Sequence, residues 1–71
     1  MNQEMLCDKI DSSMIPKSSI AEALGITRQA FYKKLNGKRE FKNSEIKTLA
    51  MILHLTSKER DDIFFADYVD K

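Results

Sequence analysis

Apolar residues recur along the chain at the three- and four-residue spacing of α-helices. Leu6 and Ile10, for example, lie four residues apart near the start of the chain. No segment keeps the alternation of apolar and polar residues that a half-buried strand needs. The pattern therefore predicts short helices and no sheet. The most complete apolar stripe belongs to the fourth predicted helix, with Ile46, Leu49, Ala50 and Leu53.

Turn and capping residues divide the first half of the chain into three predicted helices. The first covers about 2–12. The single proline fits the first position of a second helix over about 17–24, because that position needs no backbone N–H. Gly25 ends this helix, since glycine readily adopts the left-handed conformation. The third helix begins after Thr27, a favourable N-cap, and ends near Asn36.

The second half of the chain predicts a polar loop and two further helices. The loop covers 38–42, and either Asn43 or Ser44 can cap the fourth helix. A Thr-x-x-Glu capping box then predicts a fifth helix over about 57–69. A chain of 71 residues forms one domain. We therefore expect an all-α, compact five-helix bundle over 1–71.

The net charge of +1 hides an uneven distribution of charged residues. Residues 17–47 contain eight basic and three acidic side chains, a net charge of +5, whereas 1–16 and 48–71 each have a net charge of −2. A basic middle between acidic ends indicates a face that binds a polyanion. By charge alone, an ordinary solvated surface with accidental clustering remains an equal alternative.

The residue types exclude several classes of function. Cys7 and His54 are single and far apart, so we expect no disulfide within the chain, no metal site and no cofactor. No nucleophile–base arrangement or phosphate-binding glycine loop is visible, so we expect no enzyme. Met5, Met14 and Met51 are interpreted as fillers of the core.

The start of the chain lacks the basic segment and apolar run of a signal peptide. No apolar stretch approaches the roughly 20 residues that span a bilayer. These features predict a soluble, cytoplasmic protein that makes no contact with a membrane.

The segment 17–37 has the features of a helix-turn-helix, with the motif itself at about 17–36. Ala21 is small where two helices must approach closely, and Gly25 follows four residues later in the turn between them. Apolar residues that can lock the two helices at a steep angle surround this pair: Ile20, Leu24, Ile26 and Phe31.

Over about 5–65 the chain resembles the phage repressor and Cro-type regulators, the xenobiotic-response-element-like family of helix-turn-helix proteins. The resemblance implies a lambda-repressor-like DNA-binding domain in a bacterial cell or a phage-infected host. Lys34 departs from the family pattern, because many relatives have an apolar residue there, and we expect Leu35 to take over that packing. The residues that match are Ile20, Ala21, Leu24, Gly25, Ile26, Thr27, Arg28, Gln29, Leu35, Asn36, Gly37, Lys38, Ser44, Glu45, Ile46, Leu49 and Ala50.

The family's second motif helix enters the major groove, and its first residues reach base edges. The expected base contacts are therefore Arg28, Gln29, Tyr32 and Lys33. Arginine suits guanine and glutamine suits adenine, although Arg28 and Lys33 can also contact only phosphates. The expected phosphate contacts, which position the duplex without reading sequence, are Lys17, Thr27, Lys34, Lys38, Arg39 and Lys42.

The predicted fifth helix contains more apolar surface than one core can use. Phe64 and Phe65 are adjacent, so one of them is expected inside and the other on the surface, together with Tyr68 and Val69. Exposed apolar patches usually mark an interface, and the resemblance implies a homodimer formed through this helix on a palindromic operator. The alternative is a helix that wraps its own core on two sides.

These patterns predict a sequence-specific transcriptional regulator that binds double-stranded DNA, by resemblance a phage or prophage repressor or a Cro-like protein. The alternative is a helix-turn-helix scaffold that acts as a protein-interaction module, antitoxin-like or anti-repressor-like, with little affinity for DNA. The basic segment 28–42 favours DNA. No small-molecule effector is evident from the sequence.

Overall fold

A computed structural model describes residues 1–65, and within them the protein is all-helical, with no strand. A π-helical turn, Asp61–Phe65, follows the last α-helix. The all-α prediction is confirmed. The α-helices are α1 (Gln3–Ser13), α2 (Lys17–Leu24), α3 (Arg28–Leu35), α4 (Asn43–Ile52) and α5 (Ser57–Arg60).

Helix α1 lies within one residue of its predicted bounds and buries one side. Leu6 and Ile10 are in the core, and the Asn2 side chain caps the helix by accepting a hydrogen bond from the Met5 backbone N–H at 3.0 Å. The backbone N–H of Asn2 donates to the Ile63 carbonyl at 2.7 Å. The two ends of the described chain are therefore joined directly.

Helices α2 and α3 are joined by a three-residue turn, residues 25–27. Gly25 ends α2 with φ +74°, and the Ile26 N–H donates to the Ala21 carbonyl at 3.1 Å. Thr27 caps α3 as predicted, its hydroxyl oxygen accepting from the Ala30 N–H at 3.1 Å. Ala21 is buried, as the close approach of two helices requires.

The segment before α4 differs from its prediction in two respects. Helix α4 begins at Asn43, so Lys42 occupies the N-cap position in place of Asn43 or Ser44. The loop also contains an apolar residue, Phe41, which is buried in the core. Its ring packs edge-on against Phe31 and Phe64, with centroid separations of 6.2 and 5.8 Å. This aromatic anchor fixes the loop to the core.

The capping box at the start of α5 is confirmed. Thr56 and Glu59 exchange hydrogen bonds between side chain and backbone at 2.9 and 3.1 Å. The α-helix then covers only Ser57–Arg60 before the π-helical turn, whereas one continuous helix was predicted. The remainder of that prediction, including Tyr68 and Val69, lies outside the described residues.

One core joins α1 to α4 and the π-helical turn, whereas α5 contributes no buried side chain. The interpretation of Met14 and Met51 as core residues is wrong, since their exposed fractions are 88% and 71%, while Met5 packs against the core. Met14 ends α1 in the left-handed conformation, with φ +61°, and so turns away from the core. The core consists of Leu6, Ile10, Ile20, Ala21, Phe31, Leu35, Phe41, Ile46, Leu49, Leu53, Ile63 and Phe64.

Candidate nucleic-acid interface

The outer face of α3 carries all four predicted base-contacting residues. Arg28, Gln29, Tyr32 and Lys33 are exposed and occupy positions i, i+1, i+4 and i+5 of the helix. These positions lie on one face of an α-helix. The opposite face, with Phe31 at its centre, is buried against the core. The exposed face therefore presents a guanidinium, an amide, a phenol and an ammonium group side by side.

The first residue of α2, Lys17, lies beside the same surface. The Lys17 ammonium lies 5.8 Å from the centroid of the Tyr32 ring, within the range of a cation–π contact. Pro16 at the N-cap supplies no side-chain hydrogen bond, and the first turn of α2 contains no acidic residue. A cation and the positive end of a helix thus stand beside the outer face of α3, an arrangement that favours anions.

Lys34 does not belong to this surface, so its prediction as a phosphate contact needs correction. Its side chain is buried, and its ammonium donates to the Glu45 carboxylate at 2.6 Å. Each side chain of this pair is only 7% exposed. The physical reason is helical register, because position 34 lies three residues after Phe31 and therefore faces inward. Leu35 is buried as expected, but beside Lys34 and not in its place.

Glu45 is a structural residue that the charge pattern alone did not identify. Burial raises its pKa, but the hydrogen bonds from the Lys34 ammonium and from the Lys42 backbone N–H (2.8 Å) outweigh this effect and hold the pKa below its ordinary value. The carboxylate thus stays ionised and links α3 to the start of α4. The signal in the sequence was a lysine on the inner face of one helix and a glutamate in the first turn of the next.

The other predicted phosphate contacts are on the surface. Thr27, Lys38, Arg39 and Lys42 are exposed. The Thr27 oxygen accepts the capping bond of α3, which leaves its O–H available to donate to a phosphate oxygen. Lys38, Arg39 and Lys42 lie in the segment that connects the C-terminal end of α3 to α4.

The two phenylalanines of the predicted dimer surface have different environments. Phe64 belongs to the core, whereas Phe65 is half-buried and packs against the core from outside. Both line a groove of about 360 Å³ whose wall includes Arg39. The candidate dimer surface therefore adjoins the loop that carries predicted phosphate contacts.

Comparison of the chain with known protein families, with curated proteins and with solved structures finds no match. Within residues 1–65, no group of histidine, cysteine and acidic side chains is arranged to hold a metal ion. In the same part of the chain, no helix has both the length and the apolar character that a membrane crossing requires.

Proposed function

We propose that this protein is a sequence-specific double-stranded DNA-binding regulator of the helix-turn-helix kind, in the manner of phage repressors and Cro-type proteins. One observation carries the proposal. The outer face of α3 presents Arg28, Gln29, Tyr32 and Lys33 together, while its inner face is fixed to the rest of the domain. Such a face fits a major groove, where arginine and glutamine each match one base by paired hydrogen bonds.

The exposed charge supports DNA as the partner. Burial of Lys34 does not weaken the basic surface, because Glu45 is buried with it. Only two acidic side chains of residues 17–47, Glu22 and Glu40, remain exposed in this part of the chain. Within residues 17–47, the basic side chains outside the buried pair are Lys17, Arg28, Lys33, Lys38, Arg39, Lys42 and Lys47. This surplus favours a polyanion over a neutral protein surface.

The active species that we propose is a homodimer on a palindromic operator. One recognition helix reads only a few base pairs, and two-fold symmetry doubles the contacts while placing two such helices about 34 Å apart, one turn of DNA. Phe65, half-buried beside the groove, is the described residue best placed to contribute apolar area to the dimer contact.

The test is selection of binding sites from random duplex DNA, followed by binding measurements over a range of salt concentrations. We expect an enriched palindrome, and log K should fall linearly with log salt by about 0.9 for each phosphate contacted. Lys38→Ala should reduce this slope by about one such contact. The matched control is Lys58→Ala, an exposed lysine outside the motif that pairs with Asp62 at 3.2 Å. It should leave the slope unchanged.

Two results would overturn the proposal: no enriched sequence, or no binding to duplex even at low salt. Either would favour the protein-interaction module, for which the same surface would bind an acidic partner protein.

A further inference from the structure

The dipeptide Asn36–Gly37 lies at the end of α3, where the segment that leads to α4 begins. Both residues are exposed, and Asn36 is the C-cap of α3 with φ −82° and ψ 0°. Its side chain makes no hydrogen bond to any of residues 1–65. The side-chain amide of Asn36 is therefore held by nothing in the described chain and is open to solvent.

Glycine after asparagine permits a reaction within the chain, because no Cβ shields the next backbone nitrogen. Hydroxide removes the proton of the Gly37 N–H, and the nitrogen attacks the side-chain carbonyl carbon of Asn36. A carbon–nitrogen bond forms to Gly37, the bond to the side-chain nitrogen breaks, and ammonia leaves with a proton from water. One water then opens the cyclic imide at either carbonyl, giving aspartate or isoaspartate. The reaction consumes one water, releases one ammonia and involves no oxidation or reduction.

The three asparagines of the chain differ in their readiness for this reaction. The Asn2 oxygen accepts the N-capping hydrogen bond of α1. Asn43 lies in the first turn of α4 and is followed by Ser44, whose Cβ crowds the attacking nitrogen. Only Asn36 combines an unbonded side chain with a following glycine. We propose that Asn36 is a site of spontaneous deamidation, which converts the neutral C-cap of α3 into a carboxylate.

Two backbone hydrogen bonds control the rate in the folded protein. The Gly37 N–H donates to the Lys34 carbonyl at 3.2 Å, and the Lys38 N–H donates to the Lys33 carbonyl at 2.9 Å. The first of these bonds must open before the nitrogen can attack, and 3.2 Å is at the long end of its range. Chain segments at helix ends open at a lower free energy than the core. Deamidation should therefore be slower than in a free peptide but should not require unfolding of the domain.

The fold requires the glycine that makes this dipeptide reactive. Gly37 has φ +81°, and a Cβ there would lie 2.6 Å from the side-chain nitrogen of Gln3. A substitution of Gly37 would therefore change the turn as well as the chemistry. Asn36→Ser is the informative variant, because it removes the reacting amide and leaves the glycine in place.

The expected consequence of deamidation rests on the proposed function. A carboxylate at position 36 stands at the negative end of the α3 dipole and, in the chain, between Lys33 and Lys38, two expected DNA contacts. Isoaspartate also lengthens the main chain by one carbon, so the two hydrogen bonds that close the turn cannot both be kept. Both products should therefore weaken binding to duplex of any sequence.

The experiment is incubation of the whole chain in warm, mildly alkaline water enriched in heavy oxygen, followed by tryptic digestion and mass spectrometry. Cleavage after lysine and arginine places Asn36 in peptide 35–38 and Asn43 in peptide 43–47, so each molecule carries its own control. We expect heavy oxygen to enter peptide 35–38 first, in two products that chromatography separates, and the rate to rise with pH. Circular dichroism of the incubated protein shows that the domain stays folded. If peptide 35–38 reacts no faster than peptide 43–47, the proposal is wrong.

Duplex binding is measured separately on fresh and incubated protein. Incubated wild type and fresh Asn36→Asp should both bind more weakly than fresh wild type, whereas incubated Asn36→Ser should not weaken with time. The matched control is Asn2→Asp, which makes the same change at an exposed position where aspartate also caps a helix, and it should bind like wild type. If fresh wild type binds no duplex, the proposed function fails, and the mass spectra still decide whether Asn36 deamidates.

Discussion

Most side chains of α3 are either exposed or buried, and apart from the buried Lys34 their chemistry suits their environment. The exposed residues carry polar groups that can reach a base edge or a phosphate, whereas Phe31 and Leu35 are buried. Arg28 and Gln29 occupy the first turn, the part of a recognition helix that approaches bases most closely. Lys38 lies beyond the helix, in the loop that follows it. Under the proposed function, Arg28 and Gln29 are expected to read the sequence of the duplex, and Lys38 is expected to contact phosphate only.

This separation gives a first prediction at the scale of single residues. Arg28→Ala and Gln29→Ala should each weaken specific binding by about 1–3 kcal/mol and relax the preference at particular base pairs. Lys38→Ala should weaken binding to all sequences about equally. Anisotropy titrations with the selected site and with a scrambled duplex measure both effects. If Gln29→Ala lowers both affinities by the same factor, its assignment to base readout is wrong.

The buried pair of Lys34 and Glu45 gives a second prediction, on stability. Glu45→Gln leaves the buried ammonium without its counter-charge, so at neutral pH the free energy of unfolding should fall by about 3 kcal/mol, the low end for breaking a buried pair. Because the pKa of Glu45 is lowered in the folded protein, its stabilisation is complete above the unfolded pKa and is lost as pH falls through the folded pKa. The difference between wild type and variant should therefore shrink in acid, as denaturant titrations at several pH values would show.

Coupling between the two residues provides the control. Lys34→Met alone leaves a buried carboxylate that still accepts from the Lys42 N–H. The double variant, Lys34→Met with Glu45→Gln, should lose less stability than the sum of the single losses, because it contains no buried unpaired charge. Additive losses would mean that the two side chains do not stabilise each other.

At the scale of helices, three of the connections share one backbone device. A left-handed residue, Gly25, Gly37 or His54, ends α2, α3 or α4, with φ of +74°, +81° and +54°. In each case the N–H of the next residue donates to the carbonyl five positions earlier, at 2.9–3.1 Å. Two of these positions carry glycine, which adopts this conformation without steric strain, and the third carries histidine.

Because glycine adopts the left-handed conformation without strain and histidine does not, His54→Gly and Gly25→Ala should change the free energy of unfolding in opposite directions. His54→Gly should raise the free energy of unfolding by about 1 kcal/mol, because it removes the left-handed strain of a residue with a Cβ. Gly25→Ala should lower it by about 1–2 kcal/mol for the same reason. A Cβ at Gly25 meets no atom within 4 Å, so crowding does not contribute. Denaturant titrations measure both changes, and a stable Gly25→Ala protein would contradict the explanation by backbone strain.

The helices were predictable where local signals determine them. Gly25, the Thr27 cap and the Thr-x-x-Glu box gave the bounds of α2, α3 and the start of α5 to within about one residue. The errors arose where tertiary packing decides. Phe41 lies in a segment of polar residues and is buried only because Phe31 and Phe64 provide a site for its ring. Helical register turns Lys34 inward, and the ammonium stays charged there because Glu45 on another helix neutralises it.

At the scale of the whole molecule, the exposed faces have distinct chemistry. The outer face of α3 with Lys17 is basic, the outer face of α1 is acidic, and the groove beside Phe65 is partly apolar. The exposed groups on α3 could be placed from the sequence, because helical periodicity separates them from the core. The division between Phe64 and Phe65 could not, because adjacent residues of the same type give no local signal of which one is buried.

The last prediction uses this division to test the dimer. Phe64 is 7% exposed and packs edge-on against Phe41, so Phe64→Asp places a carboxylate in the core and should unfold the domain. Phe65 packs against the core from outside, so Phe65→Asp should leave the domain folded. If Phe65 contributes to an isologous interface, the substitution brings two carboxylates together across the two-fold axis. The folded variant should then bind a half-site normally and lose cooperative binding to the palindrome.

Circular dichroism reports the fold, and sedimentation with and without duplex reports the stoichiometry. Ser57→Asp, which adds the same charge at an exposed position, should bind like wild type. A folded Phe65→Asp protein that still binds two to a palindrome with full cooperativity would exclude Phe65 from the dimer contact.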